Sequence, residues 1–336
     1  MSNGKLALVV NPMSGRDVRR LAARATNMTH EAKRDIVARV AAGAQAMGVT
    51  DIYITREPFQ ISSMALEHMG LEARVHVIEH KLHNDASDTE RSMQMFLDAG
   101  CETVVSLGGD GTNRAVVRAA GMRPEMNLVP LSTGTNNVFP VLAEPTIAGM
   151  VAGLSACGRL PEDAELGLKA RVKVLHVTTP RAQDLGLIDA VLLRRDHVGN
   201  LLPYDADRIA QMLLTRAEPD AIGMSPIGGY LHPVYAEDDF GLFLQMGSQG
   251  TVINAPLSPG LFAQVTIASH NVTAFDEAIE FHGPGVVALD GDRDLKLLEG
   301  EVATVSIRRD GPWVLDIEAT MRWAVSQGIM AAPSKS

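Results

Sequence analysis

The chain has 336 residues, enough for two domains, and 46% of them are hydrophobic, which supplies a sizeable core and excludes a disordered protein. A formal net charge of -10 argues against a surface for nucleic acid or anionic membrane, while leaving room for a local basic pocket. The two cysteines, Cys101 and Cys157, form no metal-ligand or redox spacing, and their scarcity fits a reducing cytoplasm.

Neither a basic-then-apolar leader nor an apolar run of membrane-crossing length is expected. Leu6 to Val10 is a continuous apolar run and reads as a buried parallel strand. It ends in Asn11-Pro12-Met13-Ser14-Gly15, where Pro12 and Gly15 stop the strand and Asn11 and Ser14 offer hydrogen bonds. Open α/β sheets bind ligands at such carboxyl ends, although this stretch alone reads as a plain turn. Thr29 to Met47 is expected to be an amphipathic helix, with Ile36, Val37 and Val40 on one side and Lys33 and Arg34 on another. Strands at Asp51 to Thr55 and Arg74 to Ile78 flank a helix from Ile61 to Met69. His80, His83, Asn84 and Asp85 form either a metal cluster or, as such runs more often do, a solvated loop. Ser87-Asp88-Thr89-Glu90 fits a capping box for a helix through Leu97.

The next strand, Thr103 to Leu107, runs into Gly108-Gly109-Asp110-Gly111-Thr112 and then a helical stretch to Ala120. Three glycines permit left-handed angles and close approach of a ligand, and a helix start offers unpaired amides that suit phosphate. A carboxylate there would repel phosphate unless it held Mg²⁺ or took a proton from an attacking hydroxyl; the bland alternative is a capping Asp in a strand-to-helix turn. Asn127 to Leu131 is another apolar strand and ends in Ser132-Thr133-Gly134-Thr135-Asn136-Asn137. Three such loops from one parallel sheet would lie along one edge, offering amides and neutral donors to phosphate, ribose or base. Glu144-Pro145 opens a small-residue helix to about Ala156.

Beyond Gly158 the composition changes. Val172 to Thr178 and Leu187 to Leu193 read as strands, and Asp205 to Thr215 as one isolated helix capped by Asp205. Strand-like runs follow at Leu242 to Met246, Thr251 to Ile253, Gln264 to Ala268, Val286 to Leu289, Val302 to Arg308 and Trp313 to Ile317. Asp310-Gly311 is a hairpin signal between the last two. This half is expected to be a mainly antiparallel sandwich or rolled sheet, and Ala319 to Met330 a helix packing back on the first half.

The ordered motifs N-P-x-S-G at Asn11 to Gly15, G-G-D-G-T at Gly108 to Thr112 and G-T-x-N at Gly134 to Asn137 resemble those of the NAD kinase and diacylglycerol or sphingosine-type lipid kinase superfamily. Within it the whole chain looks most similar to the acetoin-catabolism X branch, described as NAD-kinase-like. The resemblance implies an α/β domain with a parallel sheet over residues 1–145, a β-rich acceptor domain over 160–318, and a C-terminal helix over 319–336. It implies a nucleotide site built by Asn11, Ser14, Gly15, Gly108, Gly109, Gly111, Thr112, Thr133, Gly134, Thr135, Asn136 and Asn137. Such kinases carry a D-G turn in the second half that faces the cleft, and Asp290 of Leu289-Asp290-Gly291-Asp292 matches it; an ordinary hairpin turn is the alternative.

Departures are also on the sequence. Asn113-Arg114-Ala115 stands where lipid kinases carry Leu-Asn-Glu, and Asn136-Asn137 lacks the acid that NAD kinases place there. Gly247-Ser248-Gln249-Gly250-Thr251 only faintly echoes their G-S-T-A-Y stretch. The expected activity is ATP-dependent phosphoryl transfer to an alcohol, with Asp110 and Asp290 as catalytic residues, Mg²⁺ near Asp110, and NAD the first acceptor to test. The alternatives are a non-catalytic module that binds an adenine nucleotide or NAD(H) and, more weakly supported, a lipid kinase. Expected partners are the nucleotide and a small-molecule acceptor, with a homo-oligomer of this chain and with neither nucleic acid nor membrane.

Overall fold

The computed structural model describes residues 4–15, 28–121, 126–133, 137–200 and 205–331. Its first half alternates strands and helices: β1 (Lys5–Val10), α1 (His30–Ala46), β2 (Asp51–Thr55), α2 (Ile61–Leu66), β3 (Arg74–Ile78), α3 (Ala86–Asp98), β4 (Thr103–Gly108), α4 (Asp110–Ala120), β5 (Asn127–Ser132) and α5 (Pro145–Ala156). The strands form a parallel sheet in the order β3-β2-β1-β4-β5. Both faces are covered, so β1 and β4 are buried almost throughout, as their unbroken apolar runs require. On one face α1, α2 and α5 pack over Leu8, Ile52, Val105 and Val129; on the other, α3 and α4 pack over Ala7, Val9, Val104 and Leu128. Helices α1 and α5 touch backbone to backbone: a Cβ on Gly149 would fall 2.2 Å from the Val40 carbonyl, so glycine is required there.

The second half adds β6 (Lys169–Arg171), β7 (Val174–Thr178), β8 (Gln183–Gly186), β9 (Asp189–Leu193), β10 (Ile209–Leu214), α6 (Ser225–Gly229), β11 (Phe240–Ser258), β12 (Leu261–Ala274), β13 (Ile279–His282), β14 (Gly285–Leu289), β15 (Asp292–Leu297), β16 (Val302–Arg308), β17 (Trp313–Leu315) and α7 (Ile317–Ser326). Two antiparallel sheets, β12-β11-β10-β9-β14-β15 and β13-β16-β7-β8, enclose a core that includes Leu192, Leu213, Phe281, Val287 and Val305. The chain therefore has an α/β part with a mostly parallel sheet followed by a part of antiparallel sheets, the NAD kinase-like arrangement expected from the sequence. Among the described residues, no helix is long and apolar enough to cross a membrane.

Several local expectations are corrected. Asp205 to Thr215 is not a helix. Asp205 does cap a turn, accepting from the Asp207 amide, but that turn is a 3-10 segment that ends at Arg208. Ile209–Leu214 is strand β10, paired on both sides by β9 and β11, so tertiary pairing overrides local helix preference. Asp310-Gly311 does not close a hairpin. β16 pairs with β7 and β13, whereas β17 leaves for the first sheet, parallel to β5 and antiparallel to β6. The cap of α3 is Asp85, whose carboxylate accepts from the Ser87 amide and hydroxyl, rather than Ser87 itself. The two short strands expected at 242–246 and 251–253 are one bent strand, β11, whose register shifts where 247–250 bulge out opposite Ile267.

Candidate functional site

Three loops meet where β1, β4 and β5 end. Asn11 turns the first loop by accepting the Met13 and Ser14 amides on Oδ1, an Asx-type turn. Its Nδ2 donates to Thr112 Oγ1 at 2.8 Å, which joins the first loop to the second. The Thr133 hydroxyl donates to Ser14 Oγ at 2.8 Å and joins the third loop to the first. Gly15, at φ +71°, lies under the third loop, since a Cβ there would fall 2.5 Å from the Thr133 carbonyl. Of the expected site residues, Gly134, Thr135 and Asn136 lie outside the described residues.

Lys33 is the residue sequence reasoning misplaced. Expected on a polar face of α1, it is fully buried, and its ammonium donates to the carbonyls of Asn11 and Pro12 at 2.8 and 2.7 Å. Its spacing three residues before Ile36 and four before Val37 was the available signal, because it puts the stem on the apolar face.

Helix α4 begins at Asp110 with Gly109 as N-cap, and among the described residues no side chain caps its first amides. Those amides and the positive dipole end are an anion-recognition surface. Gly109 is needed for another reason as well: a Cβ would meet Asn137 Oδ1 at 2.6 Å. Asn137 in turn donates to Ser132 Oγ. One turn inside, Asn113 accepts from Ser106 and donates to the Gly109 carbonyl, which fixes the cap to β4.

Asp110 does not cap its own helix. Its Oδ1 accepts the amides of Val138 and Phe139 at 3.1 and 2.9 Å, and its Oδ2 shares the Val138 amide at 3.1 Å. Behind them Arg216 donates to the Val138 carbonyl and lies over the Phe139 ring. Burial first, and then the charge of Asp290, push the Asp110 carboxyl up to about 7, against the pull of the two amides and Arg216.

Asp290 sits in the turn between β14 and β15 at φ +49° and is only 8% exposed. Its Oδ1 accepts the amides of Ile188 and Asp189 at 2.7 and 3.3 Å, and both its oxygens take the Leu187 amide. Burial raises its carboxyl above the ordinary range, with Arg114 and these amides pulling the other way. The carboxylate that stands at the glycine loop is instead Asp292, which the sequence reading passed over two residues downstream. A Cβ on Gly111 would lie 3.3 Å from its Oδ2, and its side chain is 41% exposed.

Arg114 ties the two sides together. Expected only as a departure from the lipid kinase motif, it is buried and donates to the Leu289 carbonyl at 2.9 Å, to Asp294 at 2.9 Å and to Asp292 at 3.4 Å.

Comparison with known proteins fits this geometry. Residues 6–159 match the profile of the ATP-NAD kinase N-terminal domain, and residues 173–310 match that of the acetoin catabolism protein X C-terminal domain. Acetoin catabolism protein X of Cupriavidus necator is 31% identical over 345 residues, spanning 97% of this chain and 93% of that protein. The chain belongs to the acetoin catabolism protein X family. A crystal structure from Bacillus anthracis, provisionally named a diacylglycerol kinase, shares the fold with a TM-score of 0.50 at 13% identity, covering 94% of this chain and 98% of that one.

In this family member the donors at the loops that suit phosphate are the helix amides, the Thr112 hydroxyl, whose oxygen accepts from Asn11, and neutral amide side chains, while in the ligand-free fold the Ser14 hydroxyl donates to the Asn11 carbonyl and the Thr133 hydroxyl to Ser14. The fit to a metal is narrower. Among the described residues no group of three or more His, Cys, Asp or Glu is arranged to hold an ion. A divalent cation would therefore rest on phosphate oxygens and water, with Asp110 and Asp292 as the protein carboxylates at hand. The His80 to Asp85 segment serves α3: His80 bonds the Ser92 hydroxyl, and the amides of His83 and Asn84 bond Asp88.

Proposed function

We propose that this protein is a phosphotransferase that moves the terminal phosphoryl group of ATP to an alcohol, with NAD the first acceptor to test. The observation that carries the reading is Asp110: a carboxyl pushed up to about 7 at the uncapped head of α4, beside the hydroxyls of three converging loops. The loop amides with Ser14, Thr112 and Thr133 would hold and orient the phosphates. Asp110, about half ionised near neutral pH, would take the hydroxyl proton as the acceptor oxygen bonds to phosphorus and the bond to the ADP oxygen breaks. Asp290 would act through its charge on Asp110, since its own oxygens are engaged by three amides. Mg²⁺, when bound with the nucleotide, would neutralise charge on the phosphate oxygens.

The name of the Cupriavidus necator relative links the reading to acetoin breakdown, and the low cysteine content to the cytoplasm. A homo-oligomer is part of the same proposal and is tested by light scattering. The test of function is phosphoryl transfer from ATP to NAD and a panel of alcohols, run beside calorimetric binding of ATP and NAD. Turnover that disappears in Asp110→Asn supports the reading. ATP and NAD binding without turnover supports the second one, a non-catalytic nucleotide-binding module, which is favoured by the amide-engaged oxygens of Asp290. A lipid kinase is the least supported, because Arg114 pairs with acids where lipid kinases carry Asn.

A further inference from the structure

Asp110, Arg114 and Arg118 recur at every fourth position of α4 and so share one face of the helix. That face looks onto the β-rich half. Arg118 joins Glu90 and Asp184 at 2.7 Å each. Arg114, whose side chain is 3% exposed, reaches the β14–β15 turn, where it meets the Leu289 carbonyl, Asp294 and Asp292. Leu289 lies just before the turn and Asp292 just after it, so one guanidinium spans both sides of the turn. A guanidinium is planar and permanently charged, with donors fixed in a fork, and can therefore set a carboxylate's direction as well as its charge. The carboxylate in question is the one that overhangs Gly111.

We propose that Arg114 is a positioning residue for the candidate site: from the second turn of α4 it orients the Asp292 carboxylate over the glycine loop. It couples the two halves of the chain, since the helix that carries Asp110 also fixes the carboxylate arriving from the opposite side. The consequence for ligand binding rests on the nucleotide reading above, whereas the orientation itself is a property of the ligand-free fold.

Two measurements keep these apart. A ligand-free crystal structure of Arg114→Gln should show the Asp292 carboxylate moved away from Gly111 with the rest of the fold unchanged. Asp292 unmoved would overturn the proposal, whether or not the protein binds ATP. Arg114→Lys keeps the buried charge but not the fork, guards against a variant that fails to fold, and should leave the Asp292 carboxylate displaced from Gly111, though less far than in Arg114→Gln. In calorimetry with ATP and Mg²⁺, Arg114→Gln and Asp292→Asn should each weaken binding about tenfold, and the double variant should be no weaker than either single. Arg114→Lys should fall between the parent and Arg114→Gln, and Asp294→Asn, which removes only the outer partner, should stay within about threefold of the parent. Losses that add in the double variant would mean that the two residues act separately and would overturn the proposal. If the parent binds no ATP, the nucleotide reading fails and the crystal structure alone decides the role of Arg114.

Discussion

The glycine loop at the head of α4 and the Asp-Gly turn between β14 and β15 use the same device for different ends. Each presents a carboxylate that accepts backbone amides and whose pKa is raised by burial. The donors to Asp290 come from Leu187, Ile188 and Asp189, all in its own half, so the carboxylate clasps the β8–β9 corner onto the β14–β15 turn. The donors to Asp110 come from Val138 and Phe139, beyond the third loop, so this carboxylate ties the head of α4 to the segment that follows that loop. Among the described residues its Oδ2 accepts the shared Val138 amide alone. The Asp-Gly turn at the expected place thus holds a carboxylate engaged by three amides of its own half. What separates the two carboxylates is whose amides are bonded and how many.

The widest gap between the two regions should appear when each carboxylate is removed. Asp290→Ala strands three buried amides and should cost roughly 3 kcal/mol of folding stability, read by urea denaturation. Asp290→Asn keeps one acceptor oxygen and a residue that tolerates positive φ, and should cost less. A fully stable Asp290→Ala that has lost phosphoryl transfer would break the comparison by making Asp290 a site residue.

Asp110→Asn should do the opposite, lowering transfer on the order of 100-fold with the fold intact. Its stability should also depend on pH in a defined direction. A folded pKa of about 7 against an ordinary value of 3.8 means that, between those values, the unfolded chain ionises while the folded carboxyl holds its proton. The contribution of Asp110 is therefore full below about pH 4 and is lost as pH rises through 7. Asn cannot ionise, so the stability of Asp110→Asn relative to the parent should rise by about 4 kcal/mol between pH 4 and pH 8. Equal stability of the two at both pH values would remove the raised pKa from the account.

The first half was legible because its signals are local. Unbroken apolar strands, the helix start at Glu144-Pro145, and glycine after each of β1, β4 and β5 are all read within a few residues. The second half was read less well because its decisive partners are distant. Ile209–Leu214 has no local strand pattern, and it is a strand because β9 and β11 pair with it. Asp310-Gly311 looked like a hairpin until the following strand paired with β5, far back in the sequence. The same holds within the site. The Asn11–Thr112 and Thr133–Ser14 bonds link motifs that were all visible, whereas Lys33, Arg114 and Asp292 owe their places to packing across more than one element.

Smaller substitutions sharpen the distinction inside the α/β half. Gly109→Val drives a branched Cβ toward Asn137 Oδ1, 2.6 Å away, and should separate the second and third loops. We expect about tenfold weaker ATP binding and a stability loss of about 1 to 2 kcal/mol, since the loop can shift at modest cost. Unchanged ATP affinity in a folded Gly109→Val protein would mean that the anion site lies elsewhere.

Asn11 gives the smallest effect and the finest test. Its side chain does two jobs: Oδ1 accepts two amides of its own turn, and Nδ2 donates to Thr112 Oγ1. Asn11→Ala removes both and should cost about 1 kcal/mol, because the turn amides can reach water. Asn11→Asp keeps the acceptors, and the Thr112 hydroxyl can rotate to donate to the new carboxylate, so stability should stay within about 0.5 kcal/mol of the parent. The added negative charge, however, lies beside the uncapped amides of α4, where phosphate is expected. ATP affinity should therefore fall more in Asn11→Asp than in Asn11→Ala, the reverse of their order in stability. If both properties instead follow the same order, the three loops form only a structural knot, and the contrast drawn between Asp110 and Asp290 reduces to two clasps.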